Sequence, residues 1–231
     1  MSSLKFEALH YPERLHLVNP FGDVGVIILW SPLPTAKRRL EHVAPGILDP
    51  ARSRVAVIAN LYGDGMYAMF CNLLHNPQIR HLVAVGQDLG LPTCQEIEAF
   101  LAHGLEDTVM LGTKLKRIVG TGRVFPSIPE FNEHRLRETL SFRHLGTLSG
   151  DAVARELAGY LDSLPRHTSP TVNDRVRVEM PQFSVGEHLF KPSALAGHQV
   201  VRRRPLDCWR ELIVRAVRFG HPVMLGNGPR L

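Results

Sequence analysis

The chain has 231 residues, of which 44% are hydrophobic and 21% charged, with a formal net charge of +5. That balance is the one of an ordinary globular protein, one large domain or a domain with an appendage, long enough to bury a core without disulfides or a structural metal. Cys71, Cys94 and Cys208 are far apart and form no C-x-x-C pair, which argues against both a zinc site and a secreted disulfide framework.

The longest apolar run, Val24 to Trp30, is too short to cross a bilayer. The opening MSSLKFEALHYPERLH lacks the apolar stretch of a signal peptide, so a cytoplasmic location is expected. Aromatic residues make up only 7%, and no recognisable nucleic-acid module accompanies the basic residues. Neither nucleic acid nor membrane is therefore expected as a partner. The one basic run, Arg202-Arg203-Arg204, reads either as a solvated stretch of linker or as a contact to a nucleotide phosphate.

In chain order, Val24 to Trp30 reads as a strand buried on both faces, ended by Ser31-Pro32-Leu33-Pro34. A polar, proline-containing stretch follows, and then a second buried strand, Arg54 to Ala59. Tyr62-Gly63-Asp64-Gly65 makes a turn into a helix from Met66 to Leu74, which Asn76-Pro77 ends. The third strand is His81 to Val85, closed by Gly86. A helix from Thr93 to His103 has Thr93 as its expected N-cap, Glu96 at capping-box spacing, and Gly104 at its end. Arg117-Ile118-Val119 is a shorter strand running into Gly120-Thr121-Gly122. A helix from Pro129 to about Leu140, an edge strand at Phe142–Leu145 and a helix from Asp151 to Leu161 complete the alternation.

Strands alternating with ten-residue helices predict an α/β fold: a three-layer, Rossmann-like, mainly parallel sheet with helices on both faces. From Pro165 to Pro205 prolines recur, with a short alternating stretch, Val176 to Met180, that reads as an arm with one edge strand. Pro205 then opens a last helix whose apolar face carries Leu206, Trp209, Leu212 and Ile213. The expected division is residues 1–163 as the α/β domain, 164–204 as linker or arm, and 205–231 as the start of a further domain.

Ligands of such sheets bind beyond the carboxyl ends of the strands, near the switch in strand order. That rule selects Trp30 and Ser31, Asn60 with Tyr62-Gly63-Asp64-Gly65, Gly86-Gln87-Asp88, and Gly120-Thr121-Gly122. The Tyr62–Gly65 turn could offer backbone N–H groups to an anion, although it is neither a P-loop nor a dinucleotide fingerprint. The twelve histidines show no metal spacing, so no metal is expected; His75 and His103 read as cations complementing helix C-termini. Cys94 reads as a small buried residue, with a nucleophile near a helix N-terminus as the alternative. No catalytic residue is assigned.

Asn76-Pro77-Gln78-Ile79-Arg80 with the following strand and Gly86 resembles a segment of the corrinoid-carrying component of tetrahydromethanopterin S-methyltransferase, and Ile118 to Pro129 resembles a later stretch of that family. The likeness covers about residues 20–163 and implies a Rossmann-like domain descended from a corrinoid methyl carrier. In that family a loop histidine ligates the cobalt. Here the loop reads Asp88-Leu89-Gly90-Leu91-Pro92-Thr93-Cys94-Gln95, with Leu91 or Pro92 in the histidine's place. A corrinoid is thus disfavoured for want of the axial ligand.

Arg204 to Gly220 is similar to the first helix of thymidylate synthases, and Gly226-Asn227-Gly228 to a loop near their nucleotide phosphate. The two resemblances together imply an accessory, ligand-binding module of one-carbon methyl transfer in pyrimidine nucleotide metabolism. It would bind a folate, pterin or nucleotide-like small molecule and work with a thymidylate-synthase-like domain or partner, as the front part of a longer system, with a homo-oligomer left open. The alternatives are a corrinoid-dependent methyltransferase component without the axial histidine, which would make the chain an enzyme, and a non-catalytic interaction module.

Overall fold

Residues 4–61, 65–110, 112–148, 150–165 and 174–180 are described by the computed structural model, all within a compact unit spanning Met1–Gln182. In chain order the elements are β1 (Leu15–Leu17), β2 (Val24–Ile27), α1 (Leu33–Val43), β3 (Val55–Ala59), α2 (Gly65–His75), β4 (His81–Ala84) and α3 (Thr93–His103). They continue with β5 (Leu105–Met110), β6 (Thr113–Ile118), β7 (Val124–Pro126), α4 (Glu133–Thr139), β8 (Ser141–His144) and α5 (Asp151–Ser163). The molecule is thus mixed α/β with five α-helices among the described residues.

The three apolar runs become the centre of a five-stranded sheet of order β1-β3-β2-β4-β8. β2 pairs in parallel with β3 on one side and β4 on the other, with Val26 opposite Ile58 and Val83. β8 adds in parallel to β4, while β1 is antiparallel to β3 and closes the other edge. Every residue of β2 and β4 is buried, as expected of strands covered on both faces.

Alternate residues of these strands feed two separate cores. Val24, Val26 and Ile28 share one with Ala36 and Leu40 of α1 and with Leu157 and Leu161 of α5. Ile27, Ala56 and Ala84 share the other with Phe70 of α2, Phe100 of α3, Leu136 of α4 and Phe125 of β7. The second core is aromatic at its centre: Phe70 and Phe100 stack with ring centroids 4.2 Å apart, and Phe125 meets both edge-on.

Several elements differ from the sequence expectation. Arg117 and Ile118 end β6, which belongs to a separate antiparallel sheet, β5-β6-β7, and not to the parallel one. The proline-containing stretch after β2 folds as α1: Pro32 is its N-cap, Pro34 sits in its first turn, where a missing N–H costs nothing, and Ala36 and Leu40 bury one stripe. The expected capping box is not made. Pro92 occupies the N-cap of α3, Thr93 is its first helical residue, and Glu96 instead pairs with Arg123 at 2.8 Å. The helix expected from Pro129 begins only at Glu133, where the Asn132 side chain accepts a hydrogen bond from the Arg135 N–H at 3.0 Å.

Val176 to Met180 forms no strand. It packs instead on α2: Val178 is fully buried, and the Val176 N–H donates to the Leu74 carbonyl. The Asn76-Pro77 turn gathers these contacts. The wholly buried Asn76 donates to the Glu7 and Asn72 carbonyls and accepts from the Glu7 N–H. Arg175 donates to the His75 carbonyl and to Asn76 Oδ1. Among the described residues no helix is long and apolar enough to cross a membrane.

Candidate functional site

From β2 the chain passes through α1 to β3 on one side; from β3 it returns through α2 to β4 on the other. The connections therefore part between β2 and β4, and the crevice beyond their carboxyl ends is the position where such sheets take ligands. Two loops border it, Ile28–Ser31 after β2 and Val85–Leu91 after β4.

The first loop turns sharply. Leu29 is fully buried with φ +47°, a conformation uncommon outside glycine, and the Ser31 N–H closes the turn on the Ile28 carbonyl at 2.9 Å. Asn60, just beyond β3, holds this shape: its Nδ2 donates to the Leu29 carbonyl at 2.6 Å and to the Ser31 carbonyl at 2.8 Å. The second loop leaves β4 through Gly86, with φ +131°. A Cβ there would lie 2.5 Å from the Ile28 carbonyl oxygen and 2.8 Å from Ser31 Oγ, so only glycine fits. The loops also join through a hydrogen bond from the Trp30 N–H to the Gln87 carbonyl, 3.3 Å.

Asp88 stands at the entry to α3. Its Oδ2 accepts from the Cys94 N–H at 3.3 Å, whereas its Oδ1 is buried with no hydrogen-bond partner. Around it the surface is apolar: Trp30, Leu89 and Leu91 are 40%, 59% and 42% exposed. Leu89 also has a positive φ, +46°, so this loop is backbone-strained as well.

Six of the residues selected from sequence thus come together: Trp30, Ser31, Asn60, Gly86, Gln87 and Asp88. Gly65 opens α2 next to Leu61, beyond the carboxyl end of β3. Tyr62, Gly63 and Asp64 lie outside the described residues, as do Arg202, Arg203 and Arg204. Gly120, Thr121 and Gly122 do not join the group as a strand-end loop. They connect β6 to β7 of the antiparallel sheet, and the neighbouring Val119 N–H bonds to the carbonyl of Gly104, the residue that ends α3. Leu29, Leu89 and Leu91 were not selected from sequence. For the last two the signal lies in the Leu-Gly-Leu-Pro order, two leucines around a glycine where a buried helix has not yet begun.

Cys94 is inert. Burial, with the nearby Asp88 and Glu98 charges, pushes its thiol up to about 12 despite its place at a helix start. His75 is not the cation that complements α2. Burial and the Arg175 charge lower its pKa, and Arg175 supplies the positive charge at that helix end. The Asp88–Gln95 loop contains no imidazole that could ligate a cobalt, and no group of three or more His, Cys, Asp or Glu side chains that could hold a metal ion occurs among the described residues. Compared with models of known protein families and with curated proteins, the sequence matches none.

Proposed function

We propose that residues 24–164 form a three-layer, Rossmann-like domain that binds a small flat heterocycle of the folate, pterin or pyrimidine-nucleotide type. In this reading it serves one-carbon methyl transfer beside a thymidylate-synthase-like domain or partner. The observation that carries it is the Asp88 carboxylate at the switch in strand order, one oxygen of which is buried and unpaired. A buried acceptor without a partner costs about 1–3 kcal/mol, and native structures keep such exceptions mainly where a ligand or solvent supplies the missing donor. Pterin and pyrimidine rings carry N–H donors along one edge, the complement of a carboxylate, and a flat apolar face that suits the partly exposed Trp30. The role is one of binding; the methyl-transfer chemistry would belong to the partner's active site.

Isothermal titration of the full chain with tetrahydrofolate, with pterin and with deoxyuridine monophosphate tests this. Saturable heat is expected for at least one, weakened about tenfold or more in the Asp88→Asn variant, which loses a charge-assisted bond. No heat from any of the three, or equal affinity in the variant, overturns the reading.

A further inference from the structure

The amino end of the parallel sheet, opposite the crevice just described, holds a cavity of about 320 Å³. It lies between the last turn of α2, the Asn76–Arg80 turn and α4, with Leu73, Pro77, Ile79, Leu136 and Leu140 supplying apolar wall. The volume falls at the lower end of small-molecule sites, about 300–1,000 Å³. Two arginines line the same space, Arg80 and Arg135.

These two differ from the arginines that tie the domain's elements together. Arg54, Arg123, Arg137 and Arg175 each donate to named carbonyls or carboxylates. Arg80 Nε is buried without a hydrogen-bond partner, and no ion pair holds the side chain of Arg80 or Arg135 among the described residues. The Arg80 backbone is held at the sheet: its N–H donates to the Asp23 carbonyl and its carbonyl accepts from Ser141. Asp174 is the one carboxylate among the described lining residues, so the wall carries two positive charges against one negative. A donor fork left unpaired beside apolar wall matches an anionic head on an apolar body.

We propose that this cavity binds a small organic carboxylate with a short apolar chain, its head held by Arg80 and Arg135 and its chain against Leu73, Ile79 and Leu136. The site is independent of the switch-point crevice and of what binds there. Bare phosphate would meet the arginines and leave the apolar wall unfilled; a neutral alcohol would fill the wall and leave the arginines unpaired.

The test is calorimetric titration of the full chain with octanoate, 1-octanol and inorganic phosphate, repeated on Arg80→Gln and Arg135→Gln. Circular dichroism shows whether each variant keeps the fold; Arg135→Gln, on a half-buried position of α4, guards against a folding defect at Arg80. Saturable octanoate binding is expected, about tenfold or more tighter than either other probe, and weakened about tenfold or more by each substitution. Absence of saturable octanoate binding overturns the proposal. So does octanol binding as tightly as octanoate, phosphate doing the same, or octanoate affinity that survives both substitutions.

Discussion

Gly86 passes so close to Ile28 that an added Cβ would lie 2.5 Å from the Ile28 carbonyl oxygen. The contact joins the ends of β4 and β2 at the point where the chain's crossovers diverge. It sets the spacing of the two loops that border the candidate crevice.

Gly86→Ala should therefore damage the site more than its size suggests. It adds a clash against backbone and forces alanine to φ +131°. A loss of at least about 2 kcal/mol is expected in urea unfolding, together with exchange broadening of the Trp30 and Gln87 amides. Wild-type stability in the variant would refute this close-packed geometry.

Arg54 links the sheet to α5 through several hydrogen bonds. Its guanidinium forks onto both oxygens of Asp23, before β2, and also donates to the Leu161 and Leu164 carbonyls at the end of α5. Both side chains are mostly buried, 11% and 22% exposed. Arg54→Ala strands a buried carboxylate and the carbonyls of a helix end, and should cost about 3–5 kcal/mol by chemical denaturation. The double variant with Asp23→Asn should recover part of that loss, since the unpaired charge is then gone.

Cys71 and Cys94 are both buried, and burial pushes both thiols up to about 12. Alkylation with iodoacetamide near neutral pH should leave both peptides unmodified in the native chain and label both in denaturant, as read by peptide mass mapping. Rapid native labelling of Cys94 would restore a nucleophile at the start of α3.

His75 gives the fold a pH dependence whose sign follows from its lowered pKa. With the native pKa below the unfolded value of 6.5, the unfolded chain binds more protons between the two. The stability tied to neutral His75 is present in full above 6.5 and declines as pH falls toward the native pKa. The melting temperature should drop between about pH 7.5 and pH 5.5, and His75→Asn should flatten part of that drop. His16, lowered in the same direction by burial and Lys37, adds to it. A melting temperature that rises on acidification over this range would reverse the assignment.

Local pattern determined much of this protein. Val24, Val26, Val57 and Val83 lie in short, nearly continuous apolar runs, the pattern of strands covered on both faces. The helix Thr93–His103 is legible from its apolar stripe and from Gly104 at its end, although its N-cap is Pro92 and not Thr93. The carboxyl-end loops follow from topology, so the order of strands and helices alone points to Trp30, Asn60, Gly86 and Asp88.

Other features depended on partners distant in sequence. β5 reads Leu-Glu-Asp-Thr-Val-Met and has no buried residue, so it carries no buried-strand signature; only pairing with β6 makes it a strand, and that pairing withdrew Gly120–Gly122 from the parallel sheet's edge. α1 buries just Ala36 and Leu40, a stripe too thin to stand out in a proline-containing stretch until α5 packs on it. Glu96 has capping-box spacing, yet its carboxylate went to Arg123, twenty-seven positions away, because a charge-assisted pair outweighs a local cap. Sequence periodicity records which faces are buried. Which of several competing polar partners each side chain takes is decided by distances that exist only once the chain has folded.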